Sequence, residues 1–217
     1  MKKYMLKIIP TYSWVMLTII LIVNYIAYFG SRIFTSGLKH YSLINSLDRK
    51  LPFLSFFILF YLLAYLQWII GFVMIGRGRR EVVFQMFIGE LIAKGIALVC
   101  FILLPTTVKE IRPGIETLGS GGIWNTLTGL IYSMDAADNG FPSIHCLESW
   151  VCFRGALKLD KVPRWYVYTM LGMTLLVFAS TVFVKQHALV DIVGGVAAVE
   201  IGLIIYSCFK GRMRDQK

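Results

Sequence analysis

The sequence predicts an all-α bundle of six membrane-spanning helices, and three observations carry that expectation. Apolar residues make up 57% of the chain and charged residues 16%, well under the roughly one quarter that soluble domains carry. Mean hydropathy is +0.69. The apolar residues also fall into runs close to the length that crosses a hydrocarbon core of about 30 Å. A chain of 217 residues then forms one membrane domain over 1–217, with no separate soluble domain.

The first span is expected over Tyr12–Phe29, after Pro10. Met1-Lys2-Lys3 ahead of it lacks the pattern of a cleavable signal peptide. A polar loop, Ser31–Lys50, follows and shows no clear motif. The second span is Pro52–Ile75, ended by Gly76-Arg77-Gly78-Arg79-Arg80. The third is Val82–Leu104, closed by Pro105. The longest loop, Pro105–Pro142, is rich in Gly and Asp, and its apolar patch at Trp124–Met134 suits the membrane interface. The fourth span, Ser143–Leu157, is short and holds Glu148 and Arg154. The fifth is Trp165–Val184 and the sixth Ala188–Phe209.

The formal net charge of +10 would suggest nucleic acid in a soluble protein. Here the basic residues flank apolar spans, so orientation and anionic lipid account for them and no nucleic-acid partner is expected. With the N-terminus inside, thirteen lysines and arginines face the cytoplasm and seven face outward. That excess predicts an N-in, C-in protein of the cell membrane. The long loop and the turn between the last two spans then share the outer face. Cys100, Cys146, Cys152 and Cys208 have no C-x-x-C spacing, so they read as small apolar filler rather than disulfides or zinc ligands.

Glu90, Arg154 and Glu200 lie inside spans, where a lone charge is costly and turns toward a partner. A rise of about 1.5 Å per residue puts Glu90, Arg154 and Glu200 at one level in the inner half. Arg154 is therefore expected to pair with Glu90, Glu200 or both, with the fourth span central in the bundle. Glu90 and Lys94, four residues apart, read as a structural pair. Gly194-Gly195 reads as a site of close helix packing.

The chemistry gathers at the outer face. His187 and Asp191 are four residues apart, so on a helix a carboxylate can hold one imidazole nitrogen and leave the other as nucleophile or base. Pro142-Ser143-Ile144-His145 opens the fourth span, and a helix start offers free N–H groups to an oxyanion. Lys109 and Arg112 follow the third span. Positive charge, a nucleophile and an acid are what phosphoryl transfer requires.

Arg112-Pro113, Pro142-Ser143-Ile144-His145 and Ser180…His187…Asp191 together resemble the three signatures of the type-2 phosphatidic acid phosphatase superfamily. The resemblance covers Pro105–Asp191. It implies His187 as the phosphorylated nucleophile, Asp191 as its orienting group, and His145 as the acid for the leaving oxygen. Arg112, Ser143 and Ser180 fall at its phosphate-binding positions, and it implies no cofactor or metal. Its implied partners are a lipid phosphate substrate and the bilayer, with the oligomeric state open. Three positions depart from the pattern: Pro105 stands where the family has lysine, Ile144 where it has glycine, and Thr181 where it has arginine. Lys109 and Lys185 are the candidate replacement cations. Ser180-Thr181 before Gln186-His187 resembles the inositol-phosphorylceramide-synthase-like branch, which leaves two enzyme readings. One is hydrolysis of a lipid phosphate or diphosphate; the other is transfer of a phospho-headgroup to a lipid alcohol. A transporter is the weaker alternative, because neither repeated halves nor interrupted helices are visible.

Overall fold

The computed structural model describes residues 9–118, 121–160 and 162–215. Of the basic residues counted for orientation, Lys2, Lys3, Lys7, Lys161 and Lys217 lie outside the described residues. Helix α1 runs Thr11–Thr35, with a π-helical stretch at Ile26–Gly30 that carries it past the expected end. The single turn α2, Ser46–Lys50, follows. Then come α3, Ser55–Gly76, and α4, Arg80–Leu103. The long loop folds into α5, Ile115–Leu118, and α6, Gly122–Met134. The chain closes with α7, Ile144–Lys158, α8, Arg164–Phe183, and α9, Leu189–Asp215. Among the described residues there is no strand, only bridge pairs of Tyr41 with Thr106 and Thr107 with Asp138. Those pairs dock the start of the long loop.

Among the described residues, five helices are long and apolar enough to cross a membrane: α1, α3, α4, α8 and α9. The expected fourth span, α7, has 15 residues and so reaches only about 22 Å. Its Leu147, Glu148, Ser149, Val151 and Cys152 are buried, because α7 packs inside the other helices. Glycine makes that possible. A Cβ on Gly71 of α3 would lie 2.4 Å from Cys152 Sγ, and one on Gly195 of α9 would lie 2.7 Å from the Ser143 carbonyl oxygen.

The buried charges follow the same logic. Lys94 Nζ lies 2.9 Å from Glu90 Oε1 and 2.8 Å from Glu148 Oε1, and donates to the Ile20 carbonyl. One ammonium thereby ties α1, α4 and α7. Arg154 Nε lies 3.1 Å from Glu200 Oε1, which also accepts from Trp150 Nε1 at 2.7 Å. Glu90 faces Lys94 rather than Arg154: a lysine one turn along the same helix reaches it first, and Glu148 completes the cluster.

Candidate active site

Helix α8 stops at Phe183, and the next residues wrap back over its last turn. The N–H groups of Gln186 and His187 both donate to the Thr181 carbonyl, at 2.9 and 3.0 Å. Lys185 takes up a left-handed conformation, φ 53°, which swings its side chain away from the helical line that would have set it over Thr181. Asp191, in the first turn of α9, accepts from the Ala188 N–H at 2.9 Å.

His187 Nδ1 lies 3.0 Å from the Gly140 carbonyl oxygen and 3.3 Å from Asp191 Oδ2. A carbonyl only accepts, so the proton sits on Nδ1 and the Nε2 lone pair is left to the cavity. The beginnings of α7 and α9 are joined, since the Ser143 N–H donates to the Asp191 carbonyl at 3.0 Å. Ser143 caps α7 by accepting from the Cys146 N–H. His145 follows within that first turn. Its ring stacks on Tyr61 at 4.1 Å, with Trp68 at 5.1 Å beside it, and its centroid is 6.3 Å from that of His187.

Arg112 lies behind this pair. Its guanidinium covers the Tyr132 ring at 3.9 Å, donates to the Asp135 carbonyl at 2.9 Å and to Gln186 Oε1. Burial lowers its pKa from the ordinary value. The Tyr132 hydroxyl, pushed up to about 12 by burial, donates to the Val184 carbonyl at 2.6 Å. Three buried nitrogens here have no partner among the described residues: His145 Nε2, Gln186 Nε2 and Arg112 Nε. Unpaired buried polar atoms are costly unless something else meets them, and two of these three can only donate.

His145, Gln186 and His187 line one cavity of about 290 Å³, with Tyr61 and Asp135. The remaining expected site residues stand outside its wall. Asp191 supports His187 from behind. Ser143 is fully buried in its capping role, and Ser180, also buried, donates to the Val177 carbonyl. Lys109 is exposed in the long loop. Lys185, expected to replace a phosphate-binding arginine, instead donates to the Asp48 and Leu51 carbonyls at 2.9 and 2.7 Å. Its ammonium holds the loop before α3 against the start of α9.

Four participants escaped sequence reasoning. Gln186 stands inside the motif, where the sequence assigns it no role of its own. Asp48 donates structure to the site: its Oδ1 accepts from the Leu189 N–H at 2.8 Å, and its capping box with Asn45 builds α2. That Asn-x-x-Asp spacing was the available signal. Asp135 and Tyr61 had none, because only folding brings the long loop and α3 to the histidines. A family model described as PAP2 superfamily matches residues 84–214, a stretch that contains both histidines, Asp191 and Arg112. No curated protein matches the chain.

Proposed function

The chain belongs to the PAP2 superfamily, and from that premise we propose that it dephosphorylates a lipid phosphate or diphosphate through a phosphohistidine on His187. At the coarser level it is a membrane-embedded enzyme of the phosphatase type. The observation that carries the finer reading is the fixed tautomer of His187. Gly140 and Asp191 hold its Nδ1–H, so Nε2 is the nucleophile in a cavity shared with a second histidine.

In the proposed reaction, Nε2 of His187 bonds to phosphorus and the phosphorus–oxygen ester bond breaks. His145 gives its proton to the departing alkoxide or phosphate oxygen. Neutral His145 then takes a proton from water as that water attacks phosphorus, the nitrogen–phosphorus bond breaks, and inorganic phosphate leaves. Gln186 Nε2, unpartnered on the cavity wall, supplies a donor for the phosphoryl oxygens, and Arg112, which holds Gln186 Oε1, brings positive charge behind it, in place of the family cations absent at Pro105 and Thr181. The excess of basic residues in the opposite loops supports an extracytoplasmic site.

Headgroup transfer to a lipid alcohol is the second reading, and the aromatic cavity wall favours it by offering room to an apolar acceptor. Purified protein incubated with a panel of lipid phosphates, with released phosphate measured, tests the first reading. Acid-labile labelling that disappears in His187→Ala confirms the intermediate. Release without any label on histidine overturns it.

A further inference from the structure

The two histidines of the cavity are held by different means. His187 has a carboxylate behind it, with Asp191 Oδ2 at 3.3 Å from Nδ1. Among the described residues no carboxylate pairs with His145, and its Nε2 is buried without a partner. What surrounds His145 is aromatic. Tyr61 stacks on its ring at 4.1 Å with 26° between the planes. Trp68 lies at 5.1 Å, and Tyr65 meets the imidazole edge-on at 5.8 Å.

The three rings come from α3 at spacings of i, i+4 and i+7, which share one helical face. That face is itself fastened. The Tyr61 hydroxyl donates to Asp135 Oδ2 at 3.3 Å. Trp68 Nε1 donates at 3.0 Å to Ser149 Oγ, one turn along α7 from His145. Tyr65 packs edge-on against Trp68 at 4.9 Å. All of α3 precedes residue 84, where the family match begins.

A general acid must keep its proton until the leaving group departs, and burial opposes a charged imidazolium. Ring faces attract a cation, most strongly where water is kept out. A stacked face also fixes the plane of the imidazole. We infer that Tyr61, Tyr65 and Trp68 are positioning residues for His145: they orient its ring and favour the imidazolium, in place of a carboxylate. This rests on the phosphatase reading, which gives His145 its role as acid.

The test exploits the leaving group. An alkoxide needs the His145 proton as the phosphorus–oxygen bond breaks, whereas a nitrophenoxide leaves without it. A long-chain alkyl phosphate and a nitrophenyl phosphate bearing the same chain are compared in mixed micelles. The measure is kcat/KM, which reads the steps through loss of the leaving group. In Tyr61→Leu the alkyl ester should lose about tenfold more than the nitrophenyl ester. Tyr61→Phe, which keeps the ring without its hydroxyl, should restore the wild-type ratio of the two esters. Trp68→Leu should shift that ratio in the same direction, so a failure of Tyr61→Leu to fold does not shelter the idea. Equal losses on both esters in the leucine variants overturn the inference and leave the phosphatase reading standing. Failure of the phosphatase reading shows differently, as no phosphate released from either ester by the wild-type protein, and it removes this role of the rings as well.

Discussion

The molecule has two polar centres that answer burial differently. Around Lys94 the charges meet one another: Glu90 and Glu148 flank one ammonium, Glu90 and Lys94 are both 0% exposed, and Glu90 Oε2 and Glu148 Oε2 are left without a hydrogen bond. Around His187 the groups are held but not completed, with open nitrogens on His145, Gln186 and Arg112. Both centres lie against α7, about one helical turn apart along it. The first fixes where α7 sits; the second keeps atoms ready for something that is not protein. Burial alone does not separate structure from chemistry. Access to the cavity does: the open nitrogens of His145 and Gln186 belong to its wall, and the open carboxylate oxygens beside Lys94 do not.

The comparison breaks most easily at the nucleophile. His187→Ala should lower turnover by at least about a thousandfold while leaving the unfolding temperature near the wild-type value. A variant that keeps near-normal phosphate release removes the proposed mechanism. The opposite pattern is expected of Lys94→Met, which strands two buried carboxylates and should destabilise the fold by about 3–5 kcal/mol. Unfolding in detergent measures it; a loss under 1 kcal/mol would show that the cluster is not the support described.

The third test sharpens the boundary of the reactive centre through pH. Burial pushes the Asp135 carboxyl up from 3.8 to about 6, with Asp138 adding to the rise and His187 opposing it. Arg32, Tyr28 and Tyr61 touch the same carboxylate, while Arg112 reaches only its backbone carbonyl. The folded state therefore binds the proton more tightly than the unfolded chain does. Asp135 favours the fold at low pH, and that advantage is lost as pH rises through about 6. Unfolding measured between pH 5 and 8 should show the wild-type protein losing stability relative to Asp135→Asn as pH rises, and parallel curves would show that this carboxyl does not titrate there. The smallest effect is expected at Arg154→Ala. Arg154 and Glu200 are 30% and 32% exposed, less enclosed than the Lys94 cluster, and Trp150 still donates to Glu200, so the loss should stay below the about 3–5 kcal/mol expected of Lys94→Met. A loss of several kcal/mol would place this pair with the Lys94 cluster.

Much of the helical frame was legible because apolar length and flanking charge act locally. Arg154 with Glu200, and Glu90 with Lys94, followed from counting residues along helices. The identity of Lys94's second partner did not, since Glu148 reaches it only through the packing of α7. Lys185 failed for a definable reason: the helical projection from Thr181 assumed that α8 continued, and the chain turns left-handed at Lys185 itself. His187 and Asp191 meet even though α9 begins at Leu189, because Asp191 turns back to the Ala188 N–H. Asp135 was invisible, being a loop acid whose neighbours come from α1, α3 and the turn before α9.

Three residues in the cavity wall have one side to the outside of the bundle: Phe29, Tyr65 and Met134 are 46%, 47% and 70% exposed. They come from α1, α3 and α6, so the wall is breached on its apolar flank. On the proposed function, a lipid headgroup slides in sideways while its tails stay among other lipids. Encounter then becomes a two-dimensional search, and the quantity that sets the rate is the substrate's mole fraction in the leaflet. Diluting substrate with inert lipid at constant total substrate should slow turnover, whereas diluting the vesicles in buffer should not. The reverse result would place the entrance at the water side.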